Sequence, residues 1–290
     1  MPDPGFRDLL GRLATARRVL LVADGRPDGD SLGATTASFQ WIRRDYPNIE
    51  LAAFCRERTP PSLSSLDAVG SVSQDETLFE RPWDLIILHD AGDVRHAGID
   101  ALLPRTPPGY LLVDIDHHAT NQRYGHINIV QTQACATTEV LFRCFAEAGI
   151  GIDAGIATSL LAGILTDTGA FGNSGTTAEG LAAAGELMKC GARYQAILRS
   201  TLARQSVESL HLWGKALRRL RKHAALDIAS TYFLAEDYLG SKDSEATDGL
   251  SNMLNATCGD AEALLVLKET ADGFVKGSFR STKRDISKLC

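Results

Sequence analysis

The sequence predicts an α/β fold: a parallel-sheet domain with helices on both faces, followed by a smaller α+β domain. Three observations carry this reading. Apolar runs of strand length alternate with longer segments of helical periodicity, the pattern of strands joined by right-handed crossovers. Acidic clusters fall just after apolar strand-like runs, at the rim where open parallel sheets bind ligands. After about residue 224 the order changes to strand, helix, strand, strand.

The elements follow in order. Gly5–Ala16 spaces Phe6, Leu9, Leu10 and Leu13 as one helical face. Val19–Ala23 is continuously apolar, as in a strand buried on both sides. Asp24 to Ala37, DGRPDGDSLGATTA, holds a Pro–Gly turn and then a helix from Ser31 to about Arg43. Strands are expected at Ile49–Phe54, Trp83–His89 and Tyr110–Asp114, the last leading into Asp116-His117-His118. Asn121–Val130 reads as loop. Helices are expected at Thr137–Ala148, Ala154–Leu165 and Thr177–Gly191, the last stopped by its glycine. Tyr194–His223 reads as mostly helical, with its basic run Lys215–Lys222 a solvated face. Beyond it come a strand (Leu226–Phe233), a helix (Ser244–Ala256) and strands Ala263–Lys268 and Gly273–Ser281. The expected division is a domain at 1–191, a helical linker at 192–224 and a second domain at 225–290.

Bulk properties exclude several classes. With 290 residues, 44% hydrophobic and 23% charged, the chain has the composition of one or two globular domains. A net charge of −6 argues against wrapping a long duplex, where phosphate neutralisation dominates. It leaves room for a small anion held by metals. No apolar run approaches the roughly 18 residues of a membrane span, and the N-terminal MPDPGFRDLLGRL lacks the pattern of a secretory signal. Six cysteines are scattered without a C-x-x-C pair, so neither a zinc knuckle nor a disulfide framework is indicated, and a reducing cytoplasm is expected. The cysteines read as small buried residues, and Trp213 and Tyr232 as core.

The chemistry sits in Asp24, Asp28, Asp30, Asp90, Asp116, His117 and His118, all following strands, and in Asp167 at the end of an apolar helix. Taken singly, spaced aspartates are turn or cap residues. An Asp-His-His run after a buried strand is more specific, because adjacent histidines point to different sides. So many acids on one rim would repel and raise one another's pKa. Divalent cations relieve this, and an oxygen-and-imidazole set without thiolates suits Mn²⁺, with Mg²⁺ or Fe²⁺ less selectively. Two such ions clamp a phosphoryl group and activate water. His89 reads as a packed residue rather than a ligand.

The PDGDSLG stretch, Asp90, IDHH and GILTDTGAF occur in the order and spacing of the DHH phosphoesterase superfamily, which the chain resembles over nearly its whole length. It looks most like the subgroup of bifunctional oligoribonucleases (nanoRNases) and pAp phosphatases. TDGLSNMLNA and VKGSFRS are similar to the DHHA1 substrate-binding domain of that subgroup. The resemblance implies a two-Mn²⁺ phosphoesterase acting on short RNA oligonucleotides or 3'-phosphoadenosine 5'-phosphate (pAp). Asp28 and Asp90 would hold one ion, and Asp30, Asp90, His117 and Asp167 the other, with Asp90 bridging. His118 would meet the scissile phosphate or the leaving group, and Asp116 would orient the neighbouring imidazole. Arg280 would grip substrate phosphates, with Ser278 of the same Ser278-Phe279-Arg280 stretch beside it and Arg95 a further candidate. The family pattern has a histidine where Asp24 stands, so Asp24 is read as a harder ligand of the first ion, and Gly172 stands where the subgroup often has an arginine. The family's Gly-rich, His-containing segment is expected after DISKLC, where the chain stops, so the second domain reads as truncated. Cyclic- or linear-dinucleotide phosphodiesterase, family II pyrophosphatase and a non-catalytic nucleotide-binding protein are the competing readings, and homodimerisation is left open.

Overall fold

Arg18–Ala23 (β1) follows an N-terminal helix, Pro4–Leu13 (α1), capped by Asp3. After β1 come Gly29–Asp45 (α2), Glu50–Phe54 (β2), Val72–Ser73 (β3), Leu85–His89 (β4), Leu111–Asp116 (β5) and Ile127–Val130 (β6). Three helices follow: Thr137–Ala148 (α3), Ala154–Asp167 (α4) and Ala178–Lys189 (α5). The computed structural model describes residues 3–202, 206–238, 247, 249–270 and 272–281.

The six strands form one parallel sheet in the order β3-β2-β1-β4-β5-β6. The order reverses between β1 and β4, which is where open α/β sheets bind ligands. Ala23 pairs with His89, and His89 with Ile115. The three central strands therefore end level, and the next residue on each is Asp24, Asp90 and Asp116. Alternate residues point to opposite sides of the sheet. Val19, Leu21, Ala23, Ile87 and Ile115 join one core with residues of α1 to α5. Leu20, Val22, Ile86 and Leu88 join another with Phe54, Phe79 and Trp83, below the short 3₁₀ turns Glu76–Glu80 and Leu103–Arg105.

Helix α4 is buried around almost its whole circumference, which suits a helix apolar on all sides. It meets α2 at glycines. A Cβ on Gly29 would lie 2.2 Å from Thr166 Oγ1, and one on Gly33 would lie 2.5 Å from the Ser159 carbonyl oxygen. A Cβ on Gly163 would lie 2.5 Å from Asp30 Oδ1. These bare backbones bring the start of α2 and the end of α4 together, and with them Asp30 and Asp167.

The chain divides into two units, Met1–Phe171 with Gly175–Ala203, and Gly172–Ser174 with Arg204–Cys290. The first also holds the short helix Tyr194–Ile197 (α6). The second holds Val207–Arg218 (α7), Arg221–His223 (β7), Ile228–Phe233 (β8), Ala235–Tyr238 (α8), Leu250–Thr257 (α9), Ala263–Glu269 (β9) and Val275–Arg280 (β10). Its sheet runs β10-β9-β8-β7, with β8 and β9 parallel and the other pairs antiparallel. Leu212, Trp213 and Ala216 of α7 pack with Phe233, Leu250, Leu254, Leu264 and Val266 in its core.

Several expectations are corrected. Asn121–Val130 is not all loop, because Ile127–Val130 pairs in register with β5 and buries alternate residues. Arg221–His223 is strand rather than helix, since it pairs with Ser230–Ile228. Tyr232 is 42% exposed, not core; the Arg219 guanidinium lies over its ring at 5.0 Å. The basic run is not merely solvated: Lys215 and Arg219 both pair with Asp237, and Lys222 with Asp227 and Asp260. Cys190 is exposed at the end of α5, whereas Cys55, Cys135 and Cys144 are buried. Of the expected helix Ser244–Ala256, residues 244–246 and 248 lie outside the described residues, as do 282–290 with the DISKLC end. Among the described residues no helix is long and apolar enough to cross a membrane.

Candidate metal centre and phosphate cavity

Four elements deliver the acids and imidazoles to one place. Asp28 caps α2: its Oδ1 accepts from the amides of Asp30 and Ser31, and Ser31 Oγ in turn accepts from the Asp28 amide. That capping box sets the first turn of α2 and turns Asp30 inward. Asp90 leaves β4 with φ at +63°, a left-handed conformation unusual for a residue with a side chain. Such outliers persist where the surroundings impose them, and they cluster at functional sites. His117 and His118 follow β5, and Asp167 closes α4.

The geometry centres on His117. Its Nε2 lies 3.5 Å from Asp167 Oδ2, 3.7 Å from Asp90 Oδ1 and 3.9 Å from Asp30 Oδ2. Two groups of potential ligands result, Asp30–His117–Asp167 and Asp90–His117–His118, each with its ligand atoms within 4.8 Å of one another. His117 belongs to both. His118 Nδ1 is 2.8 Å from Asp116 Oδ1 and 3.6 Å from Asp90 Oδ1.

Asp24 and Asp28 stand outside both groups. Asp24 accepts from the Arg26 amide, and its charge interacts with Asp28, His96 and His118. Arg95 is exposed on the following loop, its amide bonded to Asp93. His89 points away from the rim: buried, it meets Ser38 Oγ at 2.9 Å and Thr35 Oγ1 at 3.3 Å.

The electrostatics are those of a cage of acids short of positive charge. Burial raises the Asp90 carboxyl well above its usual range, and repulsion from Asp30 and Asp28 adds to it. Burial raises Asp30 against the pull of His117. Asp167 is pushed up to about 7 by burial and then by Asp30. Burial raises Asp24 too, against the Arg26 amide. Asp116 goes the other way: burial would raise it, but bonds from His118 and Asn121 hold it below the usual carboxylate value. The Asp116 bond, working against burial, raises the pKa of His118.

These residues fit a divalent metal. The donors are carboxylate oxygens and imidazole nitrogens, with no thiolate among them, a hard-to-borderline set. A cation there would reverse the elevation of the carboxyl pKa values.

Residues not foreseen from sequence hold this cage. Thr137 and Thr138, at the start of α3, donate their amides to Asp30 at 2.6 and 2.9 Å. The Thr138 hydroxyl bonds Asp30 at 2.6 Å, and the Thr137 hydroxyl bonds Asp90 Oδ1 at 2.8 Å. Paired threonines opening a helix are the only sequence signal for this, and they are common as ordinary helix starts.

The second unit has its own feature. A cavity of about 530 Å³ is lined by Phe233, Ser251, Lys268, Lys276, Ser278 and Arg280, among others. Lys276, Ser278 and Arg280 alternate along one face of β10. Lys276 is directly opposite Lys268 of β9, a like-charge pairing that is unfavourable without an anion. Lys268 also bonds Thr247 Oγ1 and lies over the Tyr238 ring. Among the described residues no carboxylate pairs with Lys268, Lys276 or Arg280.

The profile of the DHH family, N-terminal domain, matches residues 18–164, about half of the chain. Among curated proteins, the Thermus thermophilus bifunctional oligoribonuclease and PAP phosphatase NrnA is 28% identical over 255 residues, covering 88% of this chain and 73% of that one. The Bacillus subtilis protein of the same name is 30% identical over 185 residues, covering 63% of this chain. That stretch spans only 56% of the Bacillus protein's length. Among solved structures, an exopolyphosphatase-related protein from Bacteroides fragilis superposes with a TM-score of 0.87 at 19% identity, covering 96% of this chain and 83% of that one. It shares the fold.

Proposed function

This chain belongs to the DHH family, and from that premise we propose that it is a metal-dependent phosphoesterase acting on short oligoribonucleotides, on pAp, or on both. The observation that carries the reading is His117 Nε2 within 3.9 Å of carboxylates from three separate elements. The names of the curated relatives supply the substrate classes.

Asp30, Asp90, His117 and Asp167 would hold one ion, and Asp90 with Asp28 and Asp24 a second, Mn²⁺ being the best match to the donors. When bound, such ions lower the pKa of a water and draw negative charge from phosphoryl oxygens. The chain's own residues do the rest. Thr137 and Thr138 hold the carboxylates of Asp90 and Asp30 in place. Asp116 holds His118 through Nδ1 and favours its protonated form, in which Nε2 would donate to a phosphate oxygen or the leaving group. Arg280, Lys268 and Lys276 would take substrate phosphates, with Arg280 able to grip two oxygens at once. Ser251 and Ser278 hydroxyls complete that cavity.

The test is hydrolysis by purified protein with Mn²⁺ of a dinucleotide, a pentanucleotide and pAp, with His117→Ala as control. Turnover of at least one, lost in the variant and on chelation, is expected. Two tightly bound Mn²⁺ without turnover of any substrate would sink the proposal.

A further inference from the structure

We infer that Asn121 is a positioning residue that sets His118 for phosphate chemistry; the inference rests on the phosphoesterase reading above. Asp114 and Asp116 are two apart on β5, so their side chains leave the same face of the sheet, and both are fully buried. Two buried carboxylates at that spacing need a donor between them. The Asn121 side-chain nitrogen is that donor: it lies 2.6 Å from Asp116 Oδ2 and 3.2 Å from Asp114 Oδ1.

The carboxamide has one tenable orientation. Its oxygen accepts from the Arg123 amide at 2.6 Å, and turning it over would set that oxygen against two carboxylates. The loop is shaped to keep it there. The Asn121 amide bonds the His118 carbonyl at 3.1 Å, and Arg123 takes a left-handed φ of +52°, a conformation that costs free energy for a non-glycine residue.

The consequence falls on His118. With Oδ2 engaged by Asn121, Asp116 Oδ1 is the oxygen that receives the amides of His117 and His118 and the Nδ1 of His118, at 2.7, 3.1 and 2.8 Å. Nδ1 is thereby the protonated nitrogen of the neutral ring, and Nε2 is kept for substrate. Without Asn121, Asp116 could turn until neither oxygen meets Nδ1, and His118 would lose both its fixed tautomer and its fixed direction.

The experiment compares wild type with Asn121→Ala and the isosteric non-donor Asn121→Asp. Steady-state kinetics with Mn²⁺ are paired with ¹⁵N-histidine spectra recorded with Mg²⁺ at alkaline pH, where the ring is neutral. We expect kcat to fall roughly 10–100-fold, the range for loss of an outer hydrogen-bonding partner, with KM and Mn²⁺ affinity unchanged. His118 should pass from a single Nδ1–H tautomer to a mixture. Unchanged kcat, or a loss of kcat with the Nδ1–H tautomer intact, overturns the inference. Should neither variant fold, the wild-type spectrum decides, and an Nε2–H tautomer there refutes it. If the wild type hydrolyses none of the substrates, the phosphoesterase reading fails while the tautomer comparison still judges Asn121.

Discussion

Thr138 donates both its backbone amide, at 2.9 Å, and its hydroxyl, at 2.6 Å, to the same oxygen of Asp30. The start of α3 thus grips a buried carboxylate that belongs to α2. The contact exists because Gly163 lets α4 pass within a bare backbone of both side chains. A Cβ there would lie 2.3 Å from Thr138 Oγ1 and 2.5 Å from Asp30 Oδ1. Gly163→Ala is therefore expected to cost about 1–3 kcal/mol by overpacking and to weaken Mn²⁺ binding as well. Urea unfolding and isothermal titration with Mn²⁺ on one sample would check both effects.

Thr137 offers a cleaner separation of metal binding from folding. Its hydroxyl bonds Asp90 Oδ1, while its amide serves Asp30. Thr137→Val removes only the hydroxyl, and Mn²⁺ affinity is expected to fall roughly 10–100-fold. Thr137→Ser keeps the donor and should bind like wild type. Equal affinities for the valine and serine variants would show that the hydroxyl is idle.

Asp114 makes stability fall as pH rises. Burial, then repulsion from Asp116, pushes its carboxyl up to about 7, and its Oδ2 has no hydrogen-bond partner among the described residues. The folded value lies above the unfolded one of about 3.9. Between these values the native state holds a proton that the unfolded chain has lost. The group therefore costs stability progressively from about pH 4 to 7, by up to ~1.4 kcal/mol per pH unit. Asp114→Asn should remove that slope and be the more stable protein at pH 8. Urea titrations of both proteins at pH 5 and pH 8 measure it.

His89 acts in the opposite direction. Burial among Ser38, Thr35 and the core drops its pKa to about 3. The unfolded chain takes up a proton below about 6.5 and the native protein does not. Its contribution is complete above that value and is lost as pH falls toward 3, again by up to ~1.4 kcal/mol per pH unit. The stability gap between wild type and His89→Asn should narrow between pH 7 and pH 4. A gap independent of pH would mean that this imidazole protonates in place.

In the second unit, Arg280→Lys keeps the charge but loses the planar fork. On the proposed function it should raise KM for pAp on the order of tenfold, from the loss of one charge-assisted hydrogen bond, with Mn²⁺ affinity unchanged. Thermal stability is the control, since among the described residues the guanidinium makes only a 3.5 Å contact with the Phe279 carbonyl.

How much of this was legible in the chain depended on the kind of signal. Strands β1, β4 and β5 announce themselves as apolar runs, because strands buried on both faces are made mostly of apolar residues. Strand β6, in which Asn128 interrupts the apolar residues, reads as loop until its pairing with β5 is seen. The exposure of Tyr232 and the pairing of the basic run with Asp237, Asp227 and Asp260 depend on partners far along the chain, which local composition does not encode.

By itself the sequence determined the parallel α/β domain and the α+β lobe after it. It also determined that Asp90, Asp116, His117 and His118 follow buried strands, since periodicity and strand ends are local properties. The tertiary structure decided which of those acids meet. Level strand ends place Asp24, Asp90 and Asp116 on one rim, and the glycine contact of α2 with α4 carries Asp30 and Asp167 to His117. Asp28 and Asp24, equally prominent in the sequence, are left outside the tight groups. The supporting layer of Thr137, Thr138 and Asn121 was likewise a tertiary matter. A hydroxyl or carboxamide becomes a partner for a carboxylate only when folding brings it within about 3 Å, in the right orientation and away from water.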